Sequence, residues 1–173
     1  VMNHPQAAQL LTVINRIATA TGATVSVLTE GANTVGAHWL GAVAKNGSLN
    51  AQQMFAAPRD AYVLLNVEPQ FEASNPAQAM KALSSGFVLA MNAYFSAVSD
   101  YADVILPVTP FTETAGTFVN AEGRAQAFHP VVKPLGQARP AWKVLRVLGE
   151  RLGLSNDAVF RANDIKDVRA VSD

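Results

Sequence analysis

Groups that titrate, attack or ligate are the starting point, because chemistry needs them at set separations. Three histidines are present: His4 in the first turn of a predicted helix, His38 beside Trp39, and His129 before Pro130 in a loop. None has a second histidine or a carboxylate at metal-ligand spacing, so each reads as a surface or interface histidine and no metal site is expected. Glu113 and Glu122 could serve as an acid–base pair, but nothing in the sequence sets their separation. Ser96, Ser99 and Thr112 lack a nucleophile elbow and a histidine in register. With no cysteine among the 173 residues, a thiol nucleophile, a zinc ribbon and a cysteine-held iron–sulfur cluster are all excluded. One glycine-containing turn, residues 31–36 (GANTVG), lies between a predicted strand and a predicted helix, where backbone N–H groups could meet an anion. Asn33 stands where a dinucleotide fingerprint needs its second glycine, and no P-loop lysine follows. The turn therefore reads as structural, and no catalytic residue is assigned.

The elements that would position these groups alternate between two periods. Residues 7–18 place Ala7, Leu10, Leu11, Ile14, Ile17 and Ala18 on one helical stripe, closed by Gly22. Residues 23–28 (ATVSVL) read as a strand, residues 35–44 as a short helix, and residues 46–58 as a surface loop. Residues 61–67 (AYVLLNV) resemble a strand buried on both faces. Asn75 caps a helix whose first residue is Pro76, and strands follow at residues 86–91 and 102–106, the last broken by Pro107. Four such strands separated by helices predict parallel pairing through crossovers. Further on, residues 117–121 and 124–128 flank a tight turn and predict a β-hairpin. Ala141, Val144, Leu145, Leu148 and Leu152 predict a helix stopped by Gly153, and Ser155 could cap another through Arg161. The expected fold is α/β: a Rossmann-like parallel sheet of about four strands with helices on both faces, plus a C-terminal β-hairpin and helix. It spans residues 1–153, with a polar helix or tail over residues 154–173 that frays towards its end.

Composition bounds the rest. Half the residues are hydrophobic and 15% are charged, against a usual roughly 25%, so the chain can bury a real core. The longest apolar runs have strand length, well short of the ~20 residues that span a bilayer, so no direct membrane insertion is expected. Net charge is zero but uneven: residues 1–123 hold four basic and eight acidic residues, residues 124–173 nine and five. The basic residues are spread and not interleaved with aromatics, which argues against nucleic acid as a partner. The chain opens with Val1, which points to a fragment or processed product with any targeting signal upstream.

Residues 101–126 read YADVILPVTPFTETAGTFVNAEGRAQ. This stretch resembles the molybdopterin oxidoreductase family, whose large subunits carry A-D-V-x-L-P followed by E-x-x-G-T-x-x-N-x-E-x-R-x-Q. Matching residues are Ala102, Asp103, Val104, Leu106, Pro107, Glu113, Gly116, Thr117, Asn120, Glu122, Arg124 and Gln126. Gly123, where several members carry arginine, is similar to the branch formed by the G subunits of NADH–quinone oxidoreductase (complex I). Residues 31–41 (GANTVGAHWLG) resemble the family's N-x-x-G-A-x-x-x-G turn, and residues 136–142 (GQARPAW) its lead-in to a closing helix. The resemblance runs over residues 23–153.

Independently of any family, Asp103 could bond local N–H groups, Pro107 ends a strand, and Gly116 and Gly123 supply freedom where the chain turns. Asn120 and Arg124 could tie the hairpin, with Glu113 or Glu122 as the partner of Arg124. These residues read as a folding module more than as catalysis.

The resemblance implies a pterin-cofactor turn of the form G-x-N-P after one strand. Its positions here are Asn66, Val67, Glu68 and Pro69, where only the proline survives and Glu68 would set negative charge against a pyrophosphate. The family's polar T-E-T-A segment is replaced by Phe95, Ser96, Ala97 and Val98. The expectation is a fragment of the complex I branch of the family, serving as a scaffold without cofactor. The parent would pass electrons from NADH to quinone through iron–sulfur clusters in its N-terminal part, on the cytoplasmic side of a bacterial inner membrane. Its partners would be the other domains of the parent chain and other complex I subunits, with self-association of the isolated fragment. The alternative is a piece of an active molybdopterin enzyme, such as a formate dehydrogenase or nitrate reductase, contributing half a cofactor pocket. A third reading, a free-standing nucleotide-binding module, lacks its glycine at position 33.

Overall fold

The computed structural model describes residues 6–29, 31–44 and 47–154. His4 and the predicted helix from Ser155 to Arg161 lie outside the described residues, as does most of the expected tail.

The first helix, α1 (Ala7–Thr21), ends as its sequence predicts. Gly22 takes a left-handed φ of 72°, and the Ala23 N–H reaches back to the Ala18 carbonyl at 3.1 Å. No residue of α1 is fully buried. Residues 23–28, expected as a strand, join no sheet; Val25, Val27 and Leu28 are exposed. β-branched residues favour strands by packing against strand neighbours, and this segment has none among the described residues. The next helix, α2 (Thr34–Trp39), is shorter than predicted because the chain turns at Gly41. The expected loop at 46–58 contains a helix, α3 (Ala51–Ala56), held by a reciprocal capping box: Asn50 Oδ1 accepts from the Gln53 N–H and Gln53 Oε1 from the Asn50 N–H.

The parallel sheet has three strands, in the order β1 (Ala61–Leu65), β2 (Phe87–Asn92), β3 (Val104–Pro107). Ala61 to Leu65 pair with Phe87 to Met91, and Leu89 to Asn92 with Val104 to Pro107. Between β1 and β2 lie α4 (Pro69–Glu72) and α5 (Pro76–Leu83), the latter capped by Asn75 Oδ1 on the Gln78 N–H at 3.1 Å. A 3₁₀ turn, Phe95–Ala97, connects β2 to β3. Another 3₁₀ turn (Phe111–Glu113) leads to an antiparallel pair, β4 (Gly116–Val119) and β5 (Ala125–Phe128), and α6 (Ala141–Arg151) follows. The architecture is thus α/β, with three parallel strands where about four were expected.

The core sits between the sheet and α5, where Tyr62 and Val88 meet Ala82 and Leu83, with Met54 and Phe55 of α3 packed against them. The Tyr62 hydroxyl accepts from the Arg59 N–H at 2.9 Å and donates to the Met54 carbonyl at 3.2 Å, so its polar end is satisfied. Central β2 is buried from Val88 to Asn92. β1, predicted to be buried on both faces, instead alternates: Tyr62 is buried and Val63 exposed. As an outer strand it is covered by helices on one side only.

Candidate functional site

All three parallel strands end on one edge, the place where open α/β sheets bind ligands. The turn after β1 carries Asn66, Val67, Glu68 and Pro69. Asn66 has φ of 48°, the left-handed region that glycine enters freely and asparagine tolerates better than most residues. Its N–H donates to the Met91 carbonyl at 2.8 Å, which locks the turn onto the end of β2. Pro69 is buried at the start of α4, and Val67 is exposed. The Glu68 N–H is taken by the chain's own carboxylate, donating to Glu72 Oε2 at 2.6 Å.

The neighbouring loop is tied to this turn by Gln70, whose Nε2 donates to the Ala97 carbonyl at 2.6 Å. Burial, then the Glu68 and Glu72 carboxylates, hold the Tyr101 phenol above its ordinary pKa, with Gln70 pulling the other way. At the end of β2, buried Asn92 accepts from the Tyr94 N–H at 2.9 Å. Beyond β3, Thr109 is 3% exposed; its N–H donates to the Arg139 carbonyl at 3.0 Å, while its hydroxyl has no hydrogen-bond partner. The Arg139 guanidinium turns back to the Ala138 carbonyl at 2.8 Å.

These residues do not fit a pyrophosphate-bearing pterin at the β1 turn. The backbone conformation suits one, since Asn66 supplies the glycine-like bend. The charge does not: two carboxylates stand at the turn, one of them on an N–H donor an anion would need, and the guanidinium beside β3 is directed at carbonyls. Phe95 and Ser96 are exposed, and Val98 is fully buried.

The second group of sequence-singled residues forms the hairpin and its supports. Asn120 accepts at Oδ1 from the N–H groups of Glu122 (3.1 Å) and Arg124 (2.9 Å), while its own N–H donates to the Arg124 carbonyl at 3.1 Å. Gly123 has φ of 80° between them. Arg124 thus ties the turn through its backbone, and Glu113 accepts from the Leu135 N–H at 3.0 Å instead of pairing with it. Glu122 is exposed. Thr117 pairs with Ala127, and Gln126 with Phe118. A Cβ on Gly116 would come within 2.4 Å of the Phe128 ring, which stacks edge-on against Phe118 at 5.1 Å. Asp103 is elsewhere: its Oδ2 accepts from the Val88 N–H at 2.7 Å, joining β3 to β2 ahead of the ladder, and Pro107 closes β3.

The residues at 31–41 serve the same hairpin. Asn33 Oδ1 accepts from the Val119 N–H at 2.8 Å, and a Cβ on Gly36 would lie 2.3 Å from that oxygen. The N-x-x-G spacing is therefore a contact in which a Cβ at Gly36 would push the Asn33 side chain from its place. His38 and His129 are not fully buried, and among the described residues no group of three His, Asp or Glu side chains could hold a metal. Sequence reasoning missed Gln70, Tyr101 and the second carboxylate, Glu72. The spacing of Glu72, four residues after Glu68 across a proline-initiated turn, is the signal that could have found it.

A family model for molybdopterin oxidoreductases matches residues 1–151. The chain belongs to the molybdopterin oxidoreductase family. Among its curated relatives are proteins named "Putative formate dehydrogenase" in Staphylococcus aureus strains USA300 and NCTC 8325, each 37% identical over 67 residues, or 39% of this chain. The same name and the same identity recur in strain COL. The matched stretch spans 7% of the length of these relatives. The relatives' names refer to formate dehydrogenase and not to the complex I branch expected from Gly123. Among the described residues, no helix of this family member is long and apolar enough to cross a membrane.

Proposed function

We propose that this chain is a framework segment of a larger molybdopterin-family oxidoreductase, bracing the parent's redox centres without performing chemistry through its own side chains. The observation that carries this reading is Glu72 on the Glu68 N–H: the family's anion-facing turn is filled by the chain's own carboxylate. Asp103, Asn120 and Asn33 each spend their side chains on backbone N–H groups, as a load-carrying module requires.

Formate oxidation is the parent reaction that the similar proteins support, through their names. The glycine-like bend at Asn66 agrees with descent from a cofactor-holding turn. In that reading the pterin group is held by parts of the parent outside this turn. A second reading, membership of the complex I branch with electrons passing from NADH towards quinone, is favoured by the paired carboxylates at the turn. Metal and pterin analysis of the full parent protein, purified from its native source, decides between them. Stoichiometric molybdenum or tungsten with formate-dependent dye reduction supports the formate reading. Iron without molybdenum, tungsten or pterin, together with NADH-dependent reduction, supports the complex I reading. A change in pterin content or affinity on Glu72→Ala alone, in either direction and with the fold intact, would overturn the framework role, because it would place the cofactor at this turn.

A further inference from the structure

The three most exposed aromatic side chains among the described residues are Phe71 (77%), Phe111 (75%) and Phe95 (71%). Each follows a different strand of the parallel sheet: Phe71 in α4 after β1, Phe95 in the 3₁₀ turn after β2, and Phe111 in the 3₁₀ turn after β3. Tyr94, 64% exposed, adjoins Phe95. The strands are hydrogen-bonded neighbours, so their C-terminal ends lie side by side, and the Gln70–Ala97 bond holds the first two loops together. Exposed aromatics scattered singly need no explanation, but one on each successive post-strand loop sets three of them along the same end of the sheet. Aromatic side chains are enriched where protein surfaces meet, since they bury much area at low entropic cost.

We propose that this edge is a protein-docking surface, Phe71, Phe95 and Phe111 receiving an apolar polypeptide face rimmed by lysine or arginine. The sign of the rim comes from the carboxylates of Glu68 and Glu72 beside Phe71. The cation at the far end of the edge, Arg139, is engaged with the Ala138 carbonyl. A planar cofactor could stack on one of these rings, but its phosphates would meet the same carboxylates, so a polypeptide suits the edge better. The inference rests on the turn after β1 not holding a pyrophosphate.

The test uses the full parent protein in its own cells, with photoreactive p-benzoylphenylalanine replacing Phe71, Phe95 or Phe111 in turn, and Ser84 at the opposite edge as control. Each of the three positions should crosslink at least about tenfold more than Ser84 to one polypeptide segment with an apolar centre and flanking lysine or arginine. Adding Glu68→Gln, the milder change, or Glu68→Lys should lower the Phe71 yield at least about threefold while the parent still assembles, and raised salt should do the same for the unsubstituted rim when crosslinking is repeated in a cell lysate. Yields equal to the control, adducts with the mass of a pterin, nucleotide or lipid, or a polypeptide yield indifferent to both salt and charge would each overturn the proposal. The two readings fail separately. Molybdenum in the parent alongside polypeptide crosslinks leaves the docking edge standing, whereas small-molecule adducts at Phe71 remove both.

Discussion

At the residue scale, the side chains that the family pattern singles out hold backbone in place. Asn120 shows this most directly, because one oxygen serves two N–H groups across a turn whose central glycine has positive φ. Asn120→Ala should cost about 1 kcal/mol, the usual net worth of such bonds, while Asn120→Asp, which keeps the acceptor, should lose less. Urea unfolding of the 173-residue chain, compared at constant m-value, measures both. Tyr101 gives a prediction of opposite character. Its phenol is held above its ordinary pKa by burial and by Glu68 and Glu72. A raised folded-state pKa means that the folded form keeps its proton longer than the unfolded chain. Stability from this group is therefore complete below the ordinary tyrosine pKa of about 10 and is lost as pH rises through the higher folded value. Alkaline unfolding should shift to higher pH in Tyr101→Phe, and phenolate absorbance should show one tyrosine titrating late. A wild-type curve that overlays the variant would show that neither burial nor these carboxylates hold the phenol above its ordinary pKa.

At the scale of elements, the family turn at residues 31–41 and the hairpin act as one unit, although 86 positions separate the bonded residues Asn33 and Val119. Gly36→Ala would place a methyl 2.3 Å from Asn33 Oδ1, so the oxygen must leave Val119. We expect a loss of about 1–3 kcal/mol, as for other overpacked sites. Asn33→Ala removes the obstacle as well as the bond, so adding Gly36→Ala to it should cost almost nothing further. That strong non-additivity, measured as a double-mutant cycle, separates a single shared contact from two independent glycine and asparagine effects. Legibility in the sequence followed the same division between local and distant causes. The Gly22 stop, the Asn75–Pro76 start and the hairpin around Gly123 were readable because neighbours a few residues away determine them. The capping box that makes α3 a helix was equally local, as Asn50 and Gln53 stand at the right spacing, but the flanking glycine and proline outweighed it. Residues 23–28 could not be resolved in this way, because a strand depends on a partner elsewhere. The Asn33–Val119 bond was likewise invisible: the motif marked both residues that form the contact site, Asn33 and Gly36, but not what they touch. The turn at Asn66 was legible as a position, and its charge as a conflict, yet the use of Glu72 to occupy the donor depends on how α4 folds back over the turn.

For the whole molecule, the decisive feature is how much apolar surface remains uncovered. Leu28 is 90% exposed, Val63 57%, Ile17 57% and Leu135 81%, and these lie on separate segments. The outer side of β1 also presents unpaired backbone among the described residues, a template for another strand. Single exposed apolar residues are ordinary, but Val25, Val27 and Leu28 are exposed together on one segment, so the isolated chain should bury them against copies of itself. Light scattering should give a concentration-dependent mass above 18.3 kDa for the chain alone. Charge placed on the extended segment, as Val27→Lys with Leu28→Lys, should reduce that mass if the segment is one of the sticky surfaces, since a lysine on an edge opposes pairing. In the parent the same pair should instead weaken attachment of this region to its surroundings, seen as faster proteolysis at residues 23–28. A strictly monomeric chain at micromolar concentration would mean that the exposed residues are individually tolerated, and it would remove the main physical reason for regarding this region as one that needs neighbours to complete its burial.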